Sequence, residues 1–250
     1  MTFQAIDSAI ESGWQPDIYR GASVVVAVPD ATRPLEYRPT LEPLLDRLTN
    51  VGAEVTIMVA LGLHRPMTAG ELEPLAALAR QFNVDLRQHD ARSHDLARLS
   101  DDVSGGRDGW PTLPAVYPNR LVDADRLVCV GTVEPHQYAG FSGGIKTVAI
   151  GCAGAETIGA MHGLEFLRMP ATAVANVDDN PFQQALWLLA EHLPDADGLM
   201  VVPDEHATPS HVSFAPVKPA FQSCNKVAGT MLFREFAVAQ NWLHLPVEPP

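Results

Sequence analysis

Residues 22–28, Ala-Ser-Val-Val-Val-Ala-Val, form an unbroken apolar run rich in β-branched side chains. Such a run fits a strand buried on both faces, which requires helices packed against both sides of its sheet. The following segments keep that demand. Thr40–Asn50 places leucines at 41, 44, 45 and 48, on one helical face. Glu54–Leu61 reads as a second strand, and Thr68–Phe82 as a second helix with Thr68 as its N-cap. Val84–Leu86 is a short strand and Arg126–Val130 another apolar one. Strands alternating with helices predict an α/β fold with a mainly parallel sheet and flanking helices.

Residues 90–120, rich in polar, Gly and Pro residues, are expected to form an irregular excursion. Ala155–Leu167 and Pro181–His192 read as helices and Gly198–Val202 as a strand. Beyond Pro203 the pattern weakens at Pro209, Pro216 and Pro219, before a last helix over Gly229–Trp242. The expected division is a main domain over 1–204 and a short C-terminal segment, 205–250, acting as a lid or reduced second domain.

A length of 250 residues with 46% hydrophobic content is ample for a core. The net charge of −13 argues against nucleic acid as a partner, since a binding face needs a basic excess. Three widely spaced cysteines, Cys129, Cys152 and Cys224, indicate neither a disulfide framework nor a zinc ribbon. Cys129 and Cys152 read as core residues. The N-terminus has no basic region followed by an apolar run, and no apolar stretch approaches bilayer length, so a cytoplasmic protein without membrane contact is expected.

The chemistry concentrates in Glu134–Lys146, Glu-Pro-His-Gln-Tyr-Ala-Gly-Phe-Ser-Gly-Gly-Ile-Lys. Gly140, Gly143 and Gly144, around Ser142, could aim backbone N–H groups at one anion. His136 offers a proton carrier, and Lys146 an amine that could hold an anion or become an attachment point. His162 comes next, on a predicted helix. In open parallel sheets ligands bind beyond the carboxyl ends of the strands. Those ends are here followed by Asp30-Ala31-Thr32-Arg33-Pro34, by Leu61–Thr68 with His64 and Arg65, and by Gly131–His136. Taken singly, Lys146 is a phosphate-binding cation, His64 a turn cap and His162 an ordinary helix residue.

Taken together, Asp-x-Thr-Arg-Pro, Gly-x-His-Arg-Pro-Met-Thr, Pro-His-x-x-Ala-Gly-Phe-Ser-Gly-Gly-x-Lys and Thr-Ile-x-x-x-His resemble the nickel-dependent lactate racemase family, in order over roughly residues 20–165. The resemblance implies a nickel pincer nucleotide, a pyridinium bisthiocarboxylic acid mononucleotide carrying Ni(II). Lys146 would be its covalent attachment point and His162 a nickel ligand. Thr32, Gly140, Ser142, Gly143 and Gly144 would lie at the cofactor. His64 and His136 would be the acid–base pair on opposite faces of a 2-hydroxy acid, with Asp30 at the site and Arg33 gripping the carboxylate. The implied reaction is racemisation or epimerisation. One histidine takes the hydroxyl proton while hydride passes to the cofactor, and both return on the other face.

The chain departs from the family at Ile150-Gly151, where Pro-Gly is usual, and offers little length after His162 for the family's second domain. A reduced lid using Lys218 or Lys226, or a second subunit in a homo-oligomer, would be needed to cover the site. The alternative reading is a non-catalytic binding protein or carrier for this or another nucleotide. A dehydrogenase using free nicotinamide is disfavoured because no Gly-x-Gly-x-x-Gly follows the first strand. Expected partners are a small 2-hydroxy acid and the enzymes that build the cofactor. His89, His94, His192, His206, His211 and His244, with Trp110 and Trp187, are read as surface or packing residues.

Overall fold

The computed structural model describes residues 2–206 and 208–242. After α1 (Thr2–Gly13) and the single turn α2 (Pro16–Tyr19), β1 (Ser23–Pro29), α3 (Tyr37–Asn50), β2 (Glu54–Ala60), α4 (Ala69–Phe82) and β3 (Asp85–Gln88) make two βαβ units. Then come β4 (Leu96–Ser100), β5 (Ala115–Pro118), α5 (Asn119–Val122) and β6 (Arg126–Thr132). A small hairpin, β7 (Pro135–His136) with β8 (Gly140–Phe141), leads to α6 (Lys146–Ala149), α7 (Ala155–Met161), α8 (Leu164–Leu167) and α9 (Pro181–Ala190). The chain closes with β9 (Ala196–Pro203), β10 (Pro209–Pro216) and α10 (Val217–Trp242).

The main sheet has the order β10-β9-β6-β1-β2-β3, parallel except for the antiparallel edge strand β10. Strand order runs one way from β1 through β3 and the other way through β6 and β9. The switch point therefore lies between β1 and β6, where a crevice opens at the carboxyl ends. Valines 24, 26 and 28 of β1 join one core with Leu41, Leu44, Leu45 and Leu48 of α3 and Leu75 and Leu78 of α4. Val25 and Ala27 join the other, with Leu127, Cys129, Val148, Phe166, Phe182 and Phe221. The double burial demanded by the valine run is thus met by helices on both faces.

Thr68 caps α4 with a full capping box, its side chain accepting from Glu71 N while the Glu71 carboxylate accepts from Thr68 N at 2.7 Å. Arg65 pairs with Glu71 at 2.7 Å, a structural role.

Four expectations change. The 90–120 excursion contains an antiparallel pair, β4 with β5. Helix 155–167 is broken at His162-Gly163 into α7 and α8. The stretch after Pro203 is ordered into β10, which pairs along β9, so this segment extends the main sheet. The last helix begins at Val217, not Gly229, and packs on β9 and β10. His244 lies outside the described residues. Among the described residues no helix is long and apolar enough to cross a membrane.

Candidate active site

A cavity of about 490 Å³ sits at the switch point, walled by the segments that follow β1, β2 and β6. Asp30, Arg33, His64, His136, Ser142, Gly143, Lys146 and His162 all line it. Residues far apart in sequence are brought together because each comes after a strand of one parallel sheet.

Asp30 is 5% exposed. One carboxylate oxygen accepts from the Thr32 N–H at 3.1 Å and from the Thr32 hydroxyl; the other lies 2.7 Å from His64 Nδ1. Burial alone would raise the Asp30 carboxyl, but the bonds from Thr32 and His64 outweigh it and hold the group below its usual range. Beside a carboxylate, Nδ1 is the protonated nitrogen of a neutral His64, and Nε2 keeps the lone pair.

His136 is held the opposite way. Its Nδ1 accepts from the backbone N–H groups of Tyr138 and Ala139, both at 3.2 Å. The neutral ring then carries its proton on Nε2. Burial, with Lys146, Arg33 and His162 nearby, pushes its pKa down to about 3, so the ring is neutral at physiological pH.

Lys146 opens α6, and burial reinforced by Arg33 brings its amine down to about 8. His162, at the C-cap of α7, directs Nδ1 to the Ile158 carbonyl at 2.9 Å. A neutral His162 therefore donates through Nδ1 and keeps Nε2 free as a ligand, the arrangement common in metal-binding histidines. Burial, with Lys146, lowers its pKa despite that bond.

The glycine loop differs from an open anion nest. Ser142 N bonds the Glu134 carbonyl at 2.8 Å. The Ser142 hydroxyl accepts from Glu134 N at 3.0 Å and donates to the Thr132 carbonyl at 2.9 Å. Gly144 N points at the Met200 sulfur, 3.1 Å away. Gly140 has φ +75°, and a Cβ there would lie 1.9 Å from the Asn176 carbonyl oxygen. These groups serve the loop's own packing. Gly143 faces the cavity, whereas Gly140, Gly144 and Thr32 do not line it; Thr32 acts through Asp30. The sequence motif contained these residues without telling a ligand contact from a fold requirement.

Sequence reading passed over Tyr138, whose ring stands edge-on to both His136 (6.0 Å) and His162 (6.1 Å) and lines the cavity. It also passed over Asn180, fully buried, which donates to the Tyr138 carbonyl at 2.7 Å while its Oδ1 caps α9. An Asn-Pro pair ahead of an apolar helix was the signal for that cap. Cys152 is buried, with its thiol pushed up to about 12, a core residue. His89 is buried as well, its Nε2 bonded to the Ala153 carbonyl at 2.8 Å.

Residues 2–175 match the family described as the lactate racemase N-terminal domain. Lactate racemase from Thermoanaerobacterium thermosaccharolyticum is 33% identical over 206 residues, covering 80% of this chain and 46% of the relative. Lactate racemase from Lactiplantibacillus plantarum is 30% identical over 206 residues, covering 81% and 47%. The solved apoprotein of the Thermoanaerobacterium racemase superposes with a TM-score of 0.81 at 27% identity, covering 90% of this chain and 54% of that one. A Thermotoga maritima protein shares the fold, with a TM-score of 0.71 at 21% identity, covering 92% and 58%. The chain spans about half the length of the relatives it matches.

Proposed function

Because the chain belongs to the lactate racemase N-terminal domain family, we propose that its cavity holds a nickel pincer nucleotide tethered to Lys146, and inverts the carbinol carbon of a 2-hydroxy acid. One observation carries the reading. A lysine whose amine is lowered to about 8 shares a cavity with a histidine whose Nε2 is free and with two further imidazoles held in opposite tautomers.

The residues fit such a group. A lysine brought near neutrality has an appreciable fraction of nucleophilic amine, as a covalent tether requires. His162 can give one imidazole to nickel, and Tyr138 and Phe182 hold its ring edge-on at 6.1 and 5.5 Å. Among the described residues no group of three or more His, Cys, Asp or Glu side chains could hold a metal ion unaided. His162 would hold the nickel from the protein side, and the nucleotide would supply its remaining ligands. When bound, the group supplies the hydride acceptor that no side chain provides.

The chain's own residues handle the rest. Arg33 grips the substrate carboxylate by paired N–H groups. His64, its Nδ1 committed to Asp30, takes the hydroxyl proton at Nε2, and Asp30 stabilises the imidazolium that results. His136 presents a proton at Nε2. As a neutral Nε2–H ring it hydrogen-bonds the substrate oxygen, while the proton taken by His64 is the one returned to the product. His136 becomes the base for the other direction only when its proton sits on Nδ1, released from the Tyr138 and Ala139 N–H groups.

The proposed partners are a 2-hydroxy acid, the enzymes that build the cofactor and, over the open mouth, a second copy of the chain. The side chain of His64 is 57% exposed. That exposure supports the second reading, a carrier of the cofactor, because hydride chemistry requires water to be excluded. Chain produced beside the cofactor-building enzymes should hold about one nickel per chain, lost in His162→Ala. It should also interconvert the enantiomers of a 2-hydroxy acid in a chiral assay. Nickel without inversion of any acid tested would leave the carrier; nickel retained in His162→Ala would refute the ligand assignment.

A further inference from the structure

A second cavity of about 660 Å³ runs between α9 and α10, on the far side of the glycine loop from the first. The face of α10 that lines it repeats at helical spacing, through Lys218, Phe221, Gln222, Asn225 and Lys226. Its floor is aromatic: Phe141, Trp187 and Phe221, the last two with ring centroids 6.4 Å apart. Trp187, expected to be a packing residue, thus also lines this groove.

The distribution of lysine is the telling feature. In a chain of net charge −13 the only lysines are Lys146, Lys218 and Lys226. One lines the first cavity and both others line the second. Lys218 Nζ lies 5.3 Å over the Trp187 ring, and among the described residues neither lysine lies within 4.0 Å of a carboxylate oxygen. Asp178 also lines the groove, which leaves its lining side chains a net positive charge.

We propose that this groove is a second ligand site, for a small aromatic acid. The lysines hold the acid group and the ring lies on the aromatic floor. The volume suits such a molecule, since small-molecule sites span about 300–1,000 Å³.

Titration calorimetry on the full chain tests this, in an Arg33→Ala/Lys146→Ala background that removes the cations of the first cavity. The probes are 4-hydroxybenzoate, benzoate and inorganic phosphate. 4-Hydroxybenzoate should bind one per chain, and Lys218→Gln/Lys226→Gln should weaken it about tenfold or more. Circular dichroism of each variant shows whether it folds. No saturable binding of either aryl acid would overturn the proposal. So would binding untouched by loss of the two lysines, or phosphate binding as tightly as the aryl acids. Because the first cavity is disabled throughout, these outcomes are separate from the fate of the racemase reading.

Discussion

Asp30→Asn is the most informative single change in the first cavity. In the native chain one Asp30 oxygen is committed to Thr32, by N–H at 3.1 Å and by hydroxyl, and the other meets His64 Nδ1 at 2.7 Å. Asparagine has only one oxygen. The two Thr32 donors claim it, which turns the amide NH₂ toward His64. An N–H donor facing Nδ1 requires a lone pair there, so the ring proton moves to Nε2 and the proton acceptor facing the substrate is lost. A hydrogen bond to a charged group contributes about 1.5–3 kcal/mol. The His64 side chain is 57% exposed, so solvent weakens the bond and the lower end applies, about a tenfold loss of the competent tautomer. NMR of the imidazole nitrogens in the unloaded protein reads this directly, with His64→Gln to assign the signals. His64 should move from the Nδ1–H to the Nε2–H form, while His136 stays Nε2–H in both proteins. An unchanged His64 pattern would refute the reasoning.

The same geometry sets other outcomes. Gly140→Ala should cost more than about 2 kcal/mol in urea unfolding, because left-handed φ strain adds to a Cβ 1.9 Å from the Asn176 oxygen. Gly70→Ala, on a helix with open space around it, should be neutral or stabilising by up to about 1 kcal/mol; equal costs at both sites would contradict the packing argument. His89 is buried, so its pKa lies below the ordinary 6.5. The unfolded chain therefore takes up a proton below pH 6.5 that the folded chain refuses, and this contribution to stability, complete above 6.5, is lost as the pH falls. His89→Phe should flatten that slope between neutral and mildly acidic pH, and an unaltered slope would exclude the residue as its source. Acylation of Lys146 by an amine reagent, followed by peptide mass spectrometry, should rise with pH and level off above about 8; a rate still climbing at strongly alkaline pH would contradict the effect of burial.

The sequence made the sheet legible where burial on both faces left no ambiguity, as in the valine run of β1. It made the first cavity legible because parallel strands deliver the residues after them to one edge, and Asp30, His64 and His136 each come after such a strand. Proline misled the reading after Pro203. Pro209 and Pro216 sit at the two ends of edge strand β10, where a missing N–H is tolerated, and Pro219 lies in the first turn of α10, whose N–H groups have no helical partner anyway. The β4–β5 pair was hidden because four- and five-residue strands carry little periodicity. The tautomers of the histidines could not be read at all, since they depend on which backbone or carboxylate group lies against each ring. The groove between α9 and α10 was hidden for a related reason: Trp187 and Lys218 become neighbours only when α10 folds back over β9.

Covalent loading of Lys146 is the most direct test of the proposed chemistry. Chain produced beside the cofactor-building enzymes should carry a single nucleotide-sized mass increment, located by peptide mapping to Lys146 and absent from Lys146→Arg. A native chain that inverts a 2-hydroxy acid with no increment, or carries it on Lys218 or Lys226, would contradict the assignment of this cavity.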